Sequence, residues 1–262
     1  IGRCVNLLAE AGRRRVALLG VSPNSLTDLV KADLFAKVSV DLRPGDLNWA
    51  SESLETCVAE FAGRLNSSDH DAVICSNDTV AIRLLCRLPA GTVPDRLYVV
   101  GMGNSYIGAN INGGLTSVMF DYHEMGKMSV RLYHDLVRMN ADCHMTLSLP
   151  CRLIIRRTAP LSDRRSEPRM AAAELPFGSY FSGDDVQNII RVETMLQSCD
   201  AFDREIIFGL SRGETCDQIA ERLFFSGRAV RYRLSNMIKQ YGFADRGELE
   251  RAVCAALGGK DE

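Results

Sequence analysis

The chain has 262 residues, enough for two domains or one large one, and its 46% hydrophobic and 24% charged content excludes disorder and fibre. A formal net charge of -2 excludes a surface that is basic throughout. No apolar run approaches the roughly 18–20 residues of a bilayer-spanning helix, so no membrane partner is expected, and the opening IGRCVNLLAEAGRRR is amphipathic rather than a signal peptide. The missing initiator Met and a start inside a helix are what a piece of a longer chain would show.

In chain order, Val5, Leu7, Leu8 and Ala11 have helical spacing over residues 1–12. VALLG (16–20) is a continuously apolar run ending in Gly, the mark of a strand buried on both faces. A helix is predicted around Ser25–Lys37, a strand in the alternating KVSVDLR (37–43), and an amphipathic helix over 50–65. DAVICSND (71–78) reads as a second buried strand, TVAIRLLCRL (79–88) as a helix and RLYVVGMG (96–103) as a further strand. A strand and a long helix follow over 115–139, and a last strand within 147–160. This rhythm predicts an α/β fold, a parallel sheet with helices on both faces. Ligands in such sheets sit beyond the carboxyl ends of the strands. Those ends are Gly20-Val21-Ser22, Ser76-Asn77-Asp78 and Gly101-Met102-Gly103-Asn104, all small or polar.

Residues 161–182 mix charges and Pro without a period and read as a linker, with Phe177, Tyr180 and Phe181 available for packing. The helix over 184–197 starts acidic, which suits the positive end of its dipole. Four short helices are predicted over 203–257, and the third follows the tight turn Phe225-Ser226-Gly227. That third helix carries Arg228, Arg231, Arg233 and Lys239, and its inward positions are Val230, Leu234 and Met237. From Arg222 to Arg246 there are six Lys/Arg against one acid, Asp245, the footprint of a phosphate-tracking surface. A solvated charged face is the alternative. On the first reading Arg228 and Arg231 reach base edges, while Tyr232, Ser235 and Lys239 reach phosphates.

The nine cysteines are odd in number, scattered and never in a Cys-x-x-Cys pair. They read as buried thiols in a reducing cytoplasm, not as disulfides or a zinc site. His70, His123, His134 and His144 do not cluster with Cys or carboxylates, and GMGNSYIG (101–108) is too irregular for a dinucleotide fingerprint. Neither catalysis, nor a cofactor, nor a metal is expected.

Several ordered motifs over residues 1–157 resemble the LacI/GalR-type effector domain, a periplasmic-binding-protein-like fold. They are the strand into Asn77-Asp78, Pro94-Asp95 before YVVG, Leu115-Thr116-Ser117-Val118, Met125-Gly126, and the closing Leu149-Pro150-Cys151-Arg152-Leu153-Ile154-Ile155-Arg156. AEAGRRRVALLG (9–20) is similar to that family's passage between lobes, and in the family a first lobe of about a hundred residues precedes it. The resemblance implies a small effector such as a sugar, held by residues among Ser22, Asn77, Asp78, Asn104, Phe120 and Tyr122. Two family marks are absent: Gly103 stands where an Asp usually grips a sugar hydroxyl, and SLTDLVKADL (25–34) lacks the usual Arg. Asn77 and Asp78 also have the plainer reading of caps on the next helix.

The terminal stretch resembles the LuxR/GerE-type helix-turn-helix. Arg204-Glu205 stand where the first helix of that family begins and Gly213 where it ends; Ile219-Ala220 and Leu223 match the second helix's inner face. Ser226 matches the cap of the third helix, Tyr241-Gly242 its end, and Arg246 with Leu249 the fourth. Ala229 replaces the usual Thr and Arg233 the usual His. The resemblance implies contact with double-stranded DNA through Ser226, Arg228, Arg231, Tyr232, Arg233, Ser235 and Lys239, by a homodimer on a two-fold site. The expected organisation is an effector domain over 1–160, a linker and connecting helix over 161–197, and an all-α four-helix helix-turn-helix domain over 198–262. The front domain would sense a metabolite or, alternatively, only dimerise.

Overall fold

In the computed structural model, residues 1–39, 42–139, 145, 147–162 and 183–257 are described. The first element is helix α1 (Gly2–Glu10), followed by β1 (Val16–Val21), α2 (Leu26–Val38), β2 (Leu47–Trp49) and α3 (Leu54–Arg64). Then come β3 (Ala72–Cys75), α4 (Asp78–Arg87), β4 (Tyr98–Met102), the short α5 (Tyr106–Asn110), β5 (Thr116–Met119), α6 (Tyr122–Met139) and β6 (Arg152–Ile154). The sheet order is β2-β1-β3-β4-β5-β6, parallel throughout except for the antiparallel pair β5–β6.

The two-residue period of the strands divides the core. Ala17, Leu19, Val73, Cys75 and Val99 meet α3, α4 and α5 on one face; Leu18, Val21, Ala72, Ile74, Val100 and Met102 meet α1 and α2 on the other. Both faces are covered, which is why these strands read as unbroken apolar runs. The described residues of KVSVDLR form no strand, and Val40 and Asp41 lie outside them. The segment's first two residues end α2, and the edge strand lies further on, at Leu47–Trp49. Helix α2, which buries Ala32 and Phe35, runs through the first two residues of that alternation.

Helix starts follow local chemistry. Ser53, Asn77, Ser105, Asp200, Ser226 and Asp245 each accept a backbone N–H of their helix's first turn, and Thr215 with Gln218 forms a reciprocal capping box.

The C-terminal part is helical: α7 (Asp184–Ser198), α8 (Ala201–Ser211), α9 (Cys216–Arg222), α10 (Gly227–Gln240) and α11 (Arg246–Ala256). Val186, Ile189, Val192, Met195 and Leu196 of α7 share one apolar cluster with α8–α11 and with the α3–α5 side of the sheet. Helix α7, expected as a connector, is therefore packed on both sides. Most of the expected linker, with its three aromatic residues, lies outside the described residues. Of the described cysteines, Cys4, Cys57, Cys75, Cys199 and Cys216 are buried and Cys151 is exposed, all as free thiols. Among the described residues no helix is long and apolar enough to cross a membrane.

Candidate functional site

The chain runs from β1 to β2 on one side and reaches β3 on the other, so the strand order reverses between β1 and β3. The crevice beyond the carboxyl ends of such a strand pair is where open α/β sheets bind ligands. Ser22 stands at the end of β1, buried, its amide donating to Asp28 Oδ2 at 3.1 Å and its Oγ accepting from Asn24 N. Lys31 bridges the mouth, donating to Asp28 Oδ1 at 2.7 Å and to the Ser76 carbonyl at 2.8 Å. The family Arg absent from this helix is thus replaced by an acid–base pair closed on itself.

At the end of β3, Asn77 caps α4 by accepting from Val80 N at 3.0 Å. Asp78 is buried; its carboxylate accepts from Ser117 Oγ and from Ser105 N, each at 2.6 Å. Burial pushes its carboxyl above the ordinary range, against the pull of these bonds and of the Arg156 charge. A Cβ at Gly101 would collide with this carboxylate, so glycine is required there. Asn104 is buried at a positive φ of 53°, its amide donating to Ser117 Oγ and its Oδ1 accepting from Arg156 Nη2 at 2.7 Å. Burial lowers the affinity of Arg156 for its proton. Tyr122 and Phe120 lie side by side, ring centroids 5.9 Å apart, and burial with the Asp78 charge raises the Tyr122 phenol.

The structure therefore gathers Asp78, Asn104 and Tyr122, together with Ser105, Ser117 and Arg156, which sequence reasoning did not assign to the site. Ser22 sits apart, at the β1 end, behind Asp28. Asn77 is a cap, as its plainer reading held. Gly103 has φ +131°, a conformation that L side chains rarely adopt, so the family Asp has no relaxed place on this backbone.

The second candidate is α10. A four-residue turn, Leu223–Ser226, joins it to α9. Val230, Leu234 and Met237 are buried. Arg228, Arg231, Tyr232, Ser235 and Lys239 are exposed and fall at i, i+3, i+4, i+7 and i+11, a single stripe on the opposite side of the helix. Arg233 falls outside that stripe, about 140° around from Arg228 at about 3.6 residues per turn. It reaches back to α8, pairing with Asp200 at 2.6 Å and Asp203 at 3.0 Å, and stands over the Phe202 ring. The hydrogen bond to Asp200 raises the Arg233 guanidinium further.

The local excess of positive charge is smaller in space than in sequence. Arg222 pairs with Glu205 and Glu214, Arg231 with Asp217 at 2.9 Å, and Arg246 with Glu250. All but the last of these acids lie before residue 222. Arg228 and Lys239 make no ion pair among the described residues. Phe224, 96% exposed with φ 57°, projects from the turn.

Residues 5–159 match the periplasmic binding protein-like domain family, and the chain belongs to that family. No curated protein matches the chain. Among solved structures, it is similar to a transcription regulator from Lactobacillus plantarum, with TM-score 0.52, 20% identity, and 61% of this chain and 64% of that one covered. It is also similar to the transcriptional regulator CelR in complex with cellobiose, with TM-score 0.51, 21% identity and coverage of 60% and 51%. A third is the Lac repressor dimer bound to operator and an anti-inducer, with TM-score 0.52, 21% identity and coverage of 60% and 57%. The chain thus spans between about half and two-thirds of these proteins, and at such identities the likeness is one of fold.

Proposed function

We propose that the protein is a DNA-binding transcription regulator whose periplasmic-binding-protein-like part governs a LuxR-type helix-turn-helix, with α10 as the reading helix. The observation that carries this reading is the exposed stripe of Arg228, Arg231, Tyr232, Ser235 and Lys239, set opposite Val230, Leu234 and Met237 after a four-residue turn. A helix in the major groove needs a buried rear face and basic or polar side chains on the front. Arg228, at the leading end and without an ion pair, is the first candidate for a base edge; Arg231 would exchange Asp217 for DNA. Arg233 serves as a brace to α8 rather than a contact. The protein would act in the cytoplasm as a homodimer, without catalysis or cofactor.

The CelR complex holds cellobiose, which supports a sugar-like effector for the same fold here. A second reading has a specific observation behind it. The polar groups at the strand ends are already satisfied internally, Asp28 by Lys31, Asp78 by Ser105 and Ser117, and Asn104 by Arg156. Such a crevice fits a front domain that only dimerises.

Selection of bound sequences from a random duplex pool, followed by gel shift, tests the DNA reading. Lys239→Ala should weaken binding about equally on all duplexes and lower the salt slope by about 1. No enrichment, or an unchanged slope, contradicts the assignment. Thermal shift against millimolar sugars separates the two readings of the front domain: stabilisation by one class supports sensing, and none supports dimerisation.

A further inference from the structure

Three consecutive backbone amides, those of Ser105, Tyr106 and Ile107, are claimed by carboxylates from two different parts of the molecule. Ser105 N donates to Asp78 at 2.6 Å, and Asp78 follows Asn77 at the crevice. Tyr106 N and Ile107 N donate to the two oxygens of Glu193 on α7, at 2.8 and 2.9 Å. Glu193 also accepts from Gln197 Nε2. The joint is part-buried, and burial pushes the Glu193 carboxyl above the ordinary range.

Two residues before Glu193, on the same helix, Arg191 holds the far end of α10. It donates to the carbonyls of Tyr241 and Gly242, pairs with Glu248 at 3.0 Å and stands 3.8 Å over the Phe243 ring. Asn188 donates to the Ala252 carbonyl of α11. At its start α7 is tied to the sheet side again, through Asp185 and Arg83, which also grips Glu55 of α3.

We propose that α7 is the coupling element between the crevice and the reading helix, and that Glu193 is the positioning residue that transmits displacement of the 105–107 segment to Arg191 and the end of α10. The physical reason is stiffness. Adjacent amides on one short segment cannot move independently, so a ligand or a closure that shifts Asp78 or Asn104 shifts the amides bound to Glu193. Helix α7 is a rigid rod, and the residue that reads α5 and the residue that holds α10 lie within one turn of each other. Coupling through a contiguous bonded segment needs no long pathway. Its regulatory meaning rests on the DNA-binding reading above; the mechanical link does not.

Hydrogen exchange by mass spectrometry on the full chain tests it without ligand or DNA. Ser117→Ala removes one hydroxyl from Asp78, and Asp78→Asn removes the charge. In both, peptides over 105–110 and over 241–248 should exchange about tenfold faster, the change expected for losing one charge-assisted bond, while α1 and α2 keep the parental rate. In a Glu193→Gln background, Asp78→Asn should still loosen 105–110 but no longer alter 241–248. A parental rate over 241–248 in Ser117→Ala overturns the proposal even if Asp78→Asn unfolds the protein. So does an effect of Asp78→Asn on that segment that persists undiminished without Glu193. Failure of the parent to bind any duplex would overturn the DNA reading alone and leave the exchange result to decide the coupling.

Discussion

Substituting two arginines of one helix should produce opposite phenotypes. Arg228 is exposed, makes no ion pair among the described residues and lies on the side opposite Val230, Leu234 and Met237. Arg228→Ala exchanges one good helix former for another, so stability should stay within about 0.5 kcal/mol. A bidentate base contact is worth about 1–3 kcal/mol, and its loss should weaken binding to the selected duplex roughly 5- to 150-fold at about 1.4 kcal/mol per decade. Arg233 is 42% exposed and bound to two carboxylates, one of which, Asp203, is 15% exposed. Burial and the neighbouring Asp200 already push Asp203 above the ordinary range, and removing the cation leaves both acids together. Discounted for solvent screening, the pairs contribute about 1 kcal/mol in all, or about 2–4 °C in Tm for a protein of this size. Calorimetry and gel shift on the two variants check this. Arg233→Ala should melt lower yet bind DNA within about threefold of the parent, as loss of a charge off the contact face implies. Equal loss of binding in both variants, with unchanged Tm, would refute the orientation assigned to α10.

Two further outcomes follow from the crevice and from α7. Gly103→Asp, which restores the family residue, should destabilise by about 1–3 kcal/mol in urea unfolding, because φ +131° is strained for any L side chain; unchanged stability would mean that the backbone relaxes easily. Glu193→Gln should gain stability relative to the parent as pH rises from about 4.3, the ordinary carboxylate value. The folded Glu193 holds its proton above that value, so the native state binds more protons there and the parent loses stability as pH climbs through the raised pKa, whereas Gln does not titrate. The lost acceptor is a constant offset. A Tm difference that is flat from pH 4.5 to 8 would contradict the burial argument.

The alternation of buried and polar residues, the caps and the inward residues of α10 are local features, set by neighbours three or four positions away or by two-residue alternation. Sequence was therefore sufficient to place β1, β3 and β4, to expect α4 over 79–88 with Asn77 among its possible caps, to start α10 at Ser226, and to separate the stripe from Val230 and Leu234. It misplaced β2 because that strand has only three residues and carries Asn48 at its centre, satisfied by the Leu18 and Gly45 carbonyls. No hydropathy pattern marks such a strand.

Charge was where reading along the chain misled. Counting within 222–246 gave an excess of cations, but Asp200, Asp203, Glu205, Glu214 and Asp217 return to Arg222, Arg231 and Arg233 from before the window. Likewise Asp78 read as a cap or a ligand residue, and only the approach of β4 and β5 made it the buried acceptor of Ser105 and Ser117. The sequence alone determined the long helices, the buried strands β1, β3 and β4, and which side of α10 is polar, because those depend on periodicity. Tertiary structure decided which arginines are held in ion pairs, whether the crevice groups are already satisfied, and that α7 is a packed joint rather than a tether. Those depend on Coulomb and hydrogen-bond partners that are distant in the chain and adjacent only after folding.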